Sequence, residues 1–285
     1  MILVAILLHG MIQGPEPTVY TITTWTKTGL IHSTYTMRSK APVIHGNSIV
    51  DRYLESLKGF AVLTEDEVLL WNESSARPLA QIPKSFSQAA FEVGEWSISL
   101  NAKWAVSASY DRTVRLVELD NGSMRTFPLA KQAKAIGVYS RPSGAASGVG
   151  VTEDGENVYI SLPSRTRKEF GGAFVPAPEL YRLSVRTGRL TYVGNGAPIR
   201  VGKDIETALD LDPSSAYRLI LWPTKKVVEL GEGFATSGSS SRGIVVLEAD
   251  GEHYIQTIYE KGLRVRSKRI PKGDFIRLPN RMAIK

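Results

Sequence analysis

Residues 104–125 read WAVSASYDRTVRLVELDNGSMR, and the way this stretch folds decides how the whole chain is organised. Residues 105–109 are small or β-branched, Tyr110, Asp111 and Arg112 interrupt them, residues 113–119 resume the apolar pattern, and Asp120, Asn121 and Gly122 end it. Branched side chains fit a pleated surface, whereas Asp, Asn and Gly tolerate turn geometry, so this is strand, tight turn, strand, turn. The same texture recurs on both sides, at 19–25, 60–64, 67–71, 158–162, 180–185, 217–222, 244–248 and 254–259. Long amphipathic helical patterns are nearly absent.

Tight polar turns centre near Lys27, Glu65, Asp111, Asp154, Ser214 and Asp250, at intervals of 38, 46, 43, 60 and 36 residues. A spacing of about 40 to 45 residues with four short strands per unit is that of propeller blades, because one four-stranded sheet cannot bury both of its faces unless neighbours stack on it. The fold is therefore expected to be all-β, a β-propeller of about six to seven four-stranded blades forming a single domain over residues 18–285. The long interval holds residues 163–178, rich in Pro, Gly and basic residues, expected as a loop inserted between strands. The five tryptophans, Trp25, Trp71, Trp96, Trp104 and Trp222, lie in or beside these strands and read as packing between blades. A ring also needs closing, so the strand-like ends 19–25 and 275–278 are expected to lie close together, in the same or adjacent blades.

The 104–125 unit resembles a WD repeat. In that family the turn Asp, here Asp111, hydrogen-bonds neighbouring strands, the run Thr113 to Leu116 forms the third strand, and a Trp-Asp pair closes it; Val117 and Glu118 stand at that pair here. Weaker echoes occur at 64–71, 152–159 and 183–189. The resemblance implies a propeller of the broad WD-like or quinoprotein-like kind.

Two segments allow alternatives. In 47–59, Ser48 and Asp51 could cap a helix with Ile49, Val50, Tyr53, Leu54 and Leu57 on one face; alignment with 95–103 instead makes it the inner strand of a blade. Residues 2–8 are apolar, with no charged residue before Glu16. They are too short to cross a bilayer as a helix, and residues 1–14 are expected as an export signal, with a buried first strand as the alternative. The export signal would make the protein periplasmic or secreted; the strand would make it cytoplasmic.

Composition bears on chemistry by what it lacks. There is no cysteine, hence no disulfide, thiolate metal site or thiol nucleophile. The four histidines, His9, His32, His45 and His253, have no zinc-binding spacing, and Gly144, Gly148 and Gly150 lack the order of a dinucleotide loop, reading as a hairpin or tight strand. Asp204, Glu206, Asp210 and Asp212 form an acidic cluster, but Ser215 and Leu221 stand where a calcium loop needs Gly and a bidentate acid. No catalytic set, metal or other cofactor is assigned.

The net charge of +7 is concentrated at one end. Residues 261–285 carry nine basic residues and one acid, so the first 260 residues sum to −1. Alternation in 263–268 is expected to put Leu263 and Val265 on one face and Arg264, Arg266 and Lys268 on the other, either protecting a sheet edge or meeting an anionic surface. With Phe275 the one aromatic nearby, sequence-specific nucleic-acid binding is not expected. The expected function is a monomeric, non-catalytic scaffold engaging a protein or peptide through loops at one end of the channel. Arg165, Arg167, Lys168 and Phe170 of the insertion and Arg264, Arg266 and Lys268 of the basic stretch are its candidate contacts. The alternative is a propeller hydrolase, lactonase-like or glycoside-acting, whose site is dispersed over several blades.

Overall fold

The computed structural model describes residues 6–7, 18–26, 29–37, 48–54, 56–72, 75–93, 96–109, 112–135, 148–170, 173–211, 217–229, 234–240, 243–260 and 263–271. Strands β1 (Ile6–Leu7), β2 (Thr18–Thr26) and β3 (Gly29–Met37) precede four successive antiparallel blades. The first comprises β4 (Ile49–Leu54), β5 (Gly59–Leu63), β6 (Glu67–Trp71) and β7 (Ala76–Gln81), with β1 alongside β4. Helix α1 (Lys84–Val93) leads to the second, β8 (Trp96–Ile98), β9 (Trp104–Ala108), β10 (Thr113–Glu118) and β11 (Met124–Pro128). Helix α2 (Ala130–Ala135) leads to the third, β12 (Val149–Val151), β13 (Asn157–Phe170), β14 (Ala173–Ser184) and β15 (Leu190–Asn195). The fourth is β16 (Ala197–Val201), β17 (Ile205–Leu211), β18 (Tyr217–Leu221) and β19 (Lys226–Glu229). The last strands, β20 (Phe234–Ser240), β21 (Gly243–Asp250), β22 (His253–Glu260) and β23 (Leu263–Pro271), combine with β2 and β3 in a six-stranded sheet ordered β23-β22-β21-β20-β2-β3.

Consecutive first strands touch around a circuit: β4 lies against β8, β8 against β12, β12 against β16, β16 against β20, and β20 against β4. Sequential meanders whose inner strands close on themselves form a β-propeller. The expected six to seven blades are corrected to four blades plus the closing six-stranded sheet. The miscount has a physical cause, since the hairpin around Lys27 is no blade of its own. It joins the last sheet through Trp25↔Ala235 and Thr26↔Phe234, so the N-terminal strand does share a sheet with strands from the other end of the chain. Residues 275–278, expected as the C-terminal partner, lie outside the described residues.

The blades are apolar on both faces, which is why their strands read as nearly continuous apolar runs. In β9, Ala105 joins the core shared with the first blade, while Val106 and Ala108 join the core shared with the third. In β13, Val158, Ile160 and Leu162 pack toward the second blade and Tyr159 toward the fourth. Each buried Val or Leu of this kind stabilises by about 1.5–3 kcal/mol. Trp96 lies in the core between the first two blades, Trp104 packs on that between the second and third, and Trp222 in that between the third and fourth, as expected for packing residues. Helix α1 is not signalled by a strand rhythm; Phe86 and Ala90 fill the same core as Trp96, and Ser107 Oγ donates to the Phe86 carbonyl at 3.4 Å.

Segment 47–59 resolves as the inner strand β4 and not as a helix. Asp51, read as a possible cap, instead accepts from Ile98 N at 2.8 Å and Ser97 Oγ at 3.3 Å, tying the inner strands of two blades together. The glycines near 150 are explained similarly: a Cβ on Gly150 would stand 2.7 Å from Val201 Cγ2, so β12 approaches β16 closely only because that position has no side chain. At one end of the ring the turns joining first and second strands are stitched together, Asn101 Nδ2 donating to Glu153 O at 2.8 Å and Glu153 N to Gly202 O at 3.0 Å.

Candidate binding surface

The opposite end carries the turns that join second and third strands, and here the third blade departs from the others. Its β13 and β14 are 14 and 12 residues long, against five to seven for the corresponding strands of the first, second and fourth blades. The expected loop at 163–178 is a continuation of this hairpin, paired at Pro163↔Pro178, irregular up to Arg167↔Pro176, and paired again to Phe170↔Ala173. Prolines are tolerated because strands projecting past their neighbours have one edge with no ladder to complete. At about 3.3 Å per residue the projection reaches on the order of 20 Å. Arg165, Arg167, Lys168 and Phe170 all lie on its first strand, Arg167 opposite Pro176 and Lys168 opposite Val175.

At the root of the hairpin, on β14 and β15 of the third blade, is a polar aromatic cluster that strand pattern alone does not reveal, and its Tyr181 belongs to the core shared with the second blade. Tyr181 donates to Glu179 Oε2 at 2.7 Å and meets the ring of Tyr192 edge-on at 5.6 Å. Tyr192 donates to Asn195 Oδ1 at 2.9 Å and remains 54% exposed. Burial, then the negative charges of Glu179 and Asp210, push the Tyr192 hydroxyl above its ordinary value. Asp210 is itself buried and accepts from Arg218 Nη2 at 2.9 Å and Nε at 3.2 Å. The pairing of Tyr181 with Tyr192 depends on an irregularity between Leu180 and Tyr181 that sequence periodicity does not announce.

The second candidate stretch forms β23, the outer edge of the six-stranded sheet. The expected single basic row is corrected. Ile258 pairs with Arg266 but Tyr259 pairs with Arg264, so Val265 is an extra residue and the alternation inverts there. Arg264 thereby shares a face with position 269, and Arg266 with position 268. Leu263 and Val265, expected together on the face opposite the basic residues, are 64% and 51% exposed. The hairpin residues and these basic residues belong to different sheets and are not strand neighbours.

The acidic cluster disperses. Asp204 accepts from Tyr159 Oη, Glu206 pairs with Arg200 and Asp210 with Arg218; Asp212 lies outside the described residues. Among the described residues no three His, Asp or Glu converge as a metal site. His253 begins β22 opposite Pro271, and its buried Nδ1 has no hydrogen-bond partner.

The hydroxyls of Tyr159 and Tyr181 are held well above the usual tyrosine range, first by burial and then by donation to Asp204 and Glu179. Unfolded tyrosines ionise near pH ~10 while these keep their protons, so their stabilisation is complete below about pH 10 and is lost as pH rises toward the folded values. Melting temperatures measured upward from pH ~8 should fall above pH ~10, and the double variant Tyr159→Phe/Tyr181→Phe should flatten that fall. An unchanged alkaline slope in the variant would contradict it.

No family model matches the chain, and no curated protein matches it. Among solved structures it is similar to the dihydro-heme d1 dehydrogenase NirN in complex with DHE, at 13% identity and a TM-score of 0.34. The similarity covers 89% of this chain and 55% of that one, so the chain spans about half that protein's length.

Proposed function

We propose that the protein is a non-catalytic propeller scaffold that engages a protein or peptide partner through the β13–β14 hairpin and the Tyr192 surface at its root. The observation that carries this is the hairpin itself: a paired, basic projection at one end of the ring, beyond what blade packing requires. The sequence of the inner strands supports it. Across β4, β8, β12, β16 and β20 the only carboxylate is Asp51, already engaged by Ser97 and Ile98, whereas glycoside hydrolysis needs two flanking the scissile bond. The repeat is of the WD-like kind, and an export signal at residues 1–14 would place this scaffold outside the cytoplasm.

Replacing residues 164–177 by a two-residue turn should leave the melting temperature near that of the parent, because among the described residues the removed strands pair only with each other. Comparative affinity capture should recover a partner with the parent chain and lose it with the shortened one. Equal recovery with both would remove the hairpin from this role.

A further inference from the structure

The outer strands of the first four blades are poor templates for another strand. They run four to six residues, with Pro78 inside β7, Pro128 at the end of β11 and Gly194 in β15. Short edges and prolines are how sheets discourage additional pairing. β23 differs: it is nine residues long, its one proline is the last residue, Pro271, and no described strand pairs with its outer edge. Leu263 and Val265 stand exposed along it.

Charge selects what could add there. Because of the irregularity at Val265, positions 264 and 269 lie on one face and positions 266 and 268 on the other, so both faces of the edge are basic. Arg269 is partly offset by Asp250 at 2.9 Å, both groups being exposed. A second copy of β23 would set arginines against arginines. The following residues of this chain, with Lys272, Arg277, Arg281 and Lys285 against Asp274, would also be repelled.

We propose that β23 accepts an extended acidic segment of a partner protein as an added strand, one in which Asp and Glu follow one another instead of alternating. Backbone pairing to this edge, which no described strand occupies, supplies the geometry, and acids on successive residues reach cations on both faces. This surface is separate from the hairpin, so a chain lacking residues 164–177 retains it, and failure here leaves the hairpin reading standing.

The test is fluorescence anisotropy with labelled octapeptides: one of consecutive Asp and Glu, one alternating Glu with Thr, and one consecutive peptide N-methylated at alternate backbone nitrogens. The consecutive peptide should bind, weaken with added salt, and lose about tenfold in affinity on either the alternating or the N-methyl change. Arg266→Glu/Lys268→Glu should abolish binding, and Arg266→Gln/Lys268→Gln should weaken it; both should keep the parent's circular dichroism and melting, since the edge is exposed. Absence of binding, equal binding of the N-methylated peptide, or indifference to the charge reversals would overturn it. So would equally tight binding of a short DNA duplex or of phosphatidylserine vesicles through the same residues, which would mark a general polyanion surface.

Discussion

Substituting Gly155 by valine should cost the protein about 3 kcal/mol or more, a large fraction of the ~5–15 kcal/mol by which a domain is usually stable. Two independent terms contribute. Gly155 has φ +72°, where a side chain costs about 1–2 kcal/mol. A Cβ there would also lie 2.3 Å from Cε2 of Trp104, in the ring that fills the gap between the second and third blades, and overpacking of this kind costs about 1–3 kcal/mol. The terms separate in a double-mutant cycle: Trp104→Ala should remove most of the steric penalty of Gly155→Ala while leaving the backbone penalty. Equilibrium denaturation reads both. Strict additivity of the two substitutions would mean that turn and ring are not in contact.

Removing the counter-charge of a buried arginine should be nearly as damaging. The Arg200 side chain on inner strand β16 is 2% exposed, and its Nε donates to Glu206 Oε2 at 2.6 Å. Breaking a fully buried pair costs about 3–5 kcal/mol; since Glu206 is 23% exposed, Glu206→Ala should cost about 2–3 kcal/mol. Glu206→Gln, which keeps an acceptor, should cost less, and so should Arg200→Met, which removes the charge needing a partner. A loss for Glu206→Ala within ~0.5 kcal/mol, as for a surface residue, would show that solvent already compensates Arg200.

What was legible in the sequence follows from where the forces are local. The strands of the 104–125 unit and the hairpin turns at Glu65, Asp154 and Asp250 depend on branched residues and on turn chemistry a few residues long. Thr152 Oγ1, for example, donates to Asp154 at 2.6 Å and receives the Asn157 amide at 3.0 Å. Burial would raise the Asp154 carboxyl, but Thr152 and the Glu156 amide together hold it below its ordinary value. Blade count was not legible, because whether the Lys27 hairpin stands alone or joins β20 is decided by pairing across some two hundred residues. The basic stretch departs from simple alternation for a smaller reason: one extra residue, Val265, inverts every position before it. The grouping of Glu179, Tyr181 and Tyr192 needed the irregular register of β14 against β15, and the charge of Asp210 reaches Tyr192 only with the fourth blade set beside the third.

The sheet that closes the ring joins both ends of the chain, β2 pairing with β20, and the absence of cysteine allows a direct measurement. Ladder partners have Cα atoms about 4.5–5.5 Å apart, within reach of a disulfide. The pairs Trp25→Cys with Ala235→Cys and Thr26→Cys with Phe234→Cys should be made separately and oxidised in the folded state. Closure predicts that at least one pair forms an intramolecular disulfide and raises the melting temperature relative to its reduced form. If all four thiols stay free and react fully with maleimide while the protein remains folded, the two ends do not share a sheet and closure by a joint sheet is wrong.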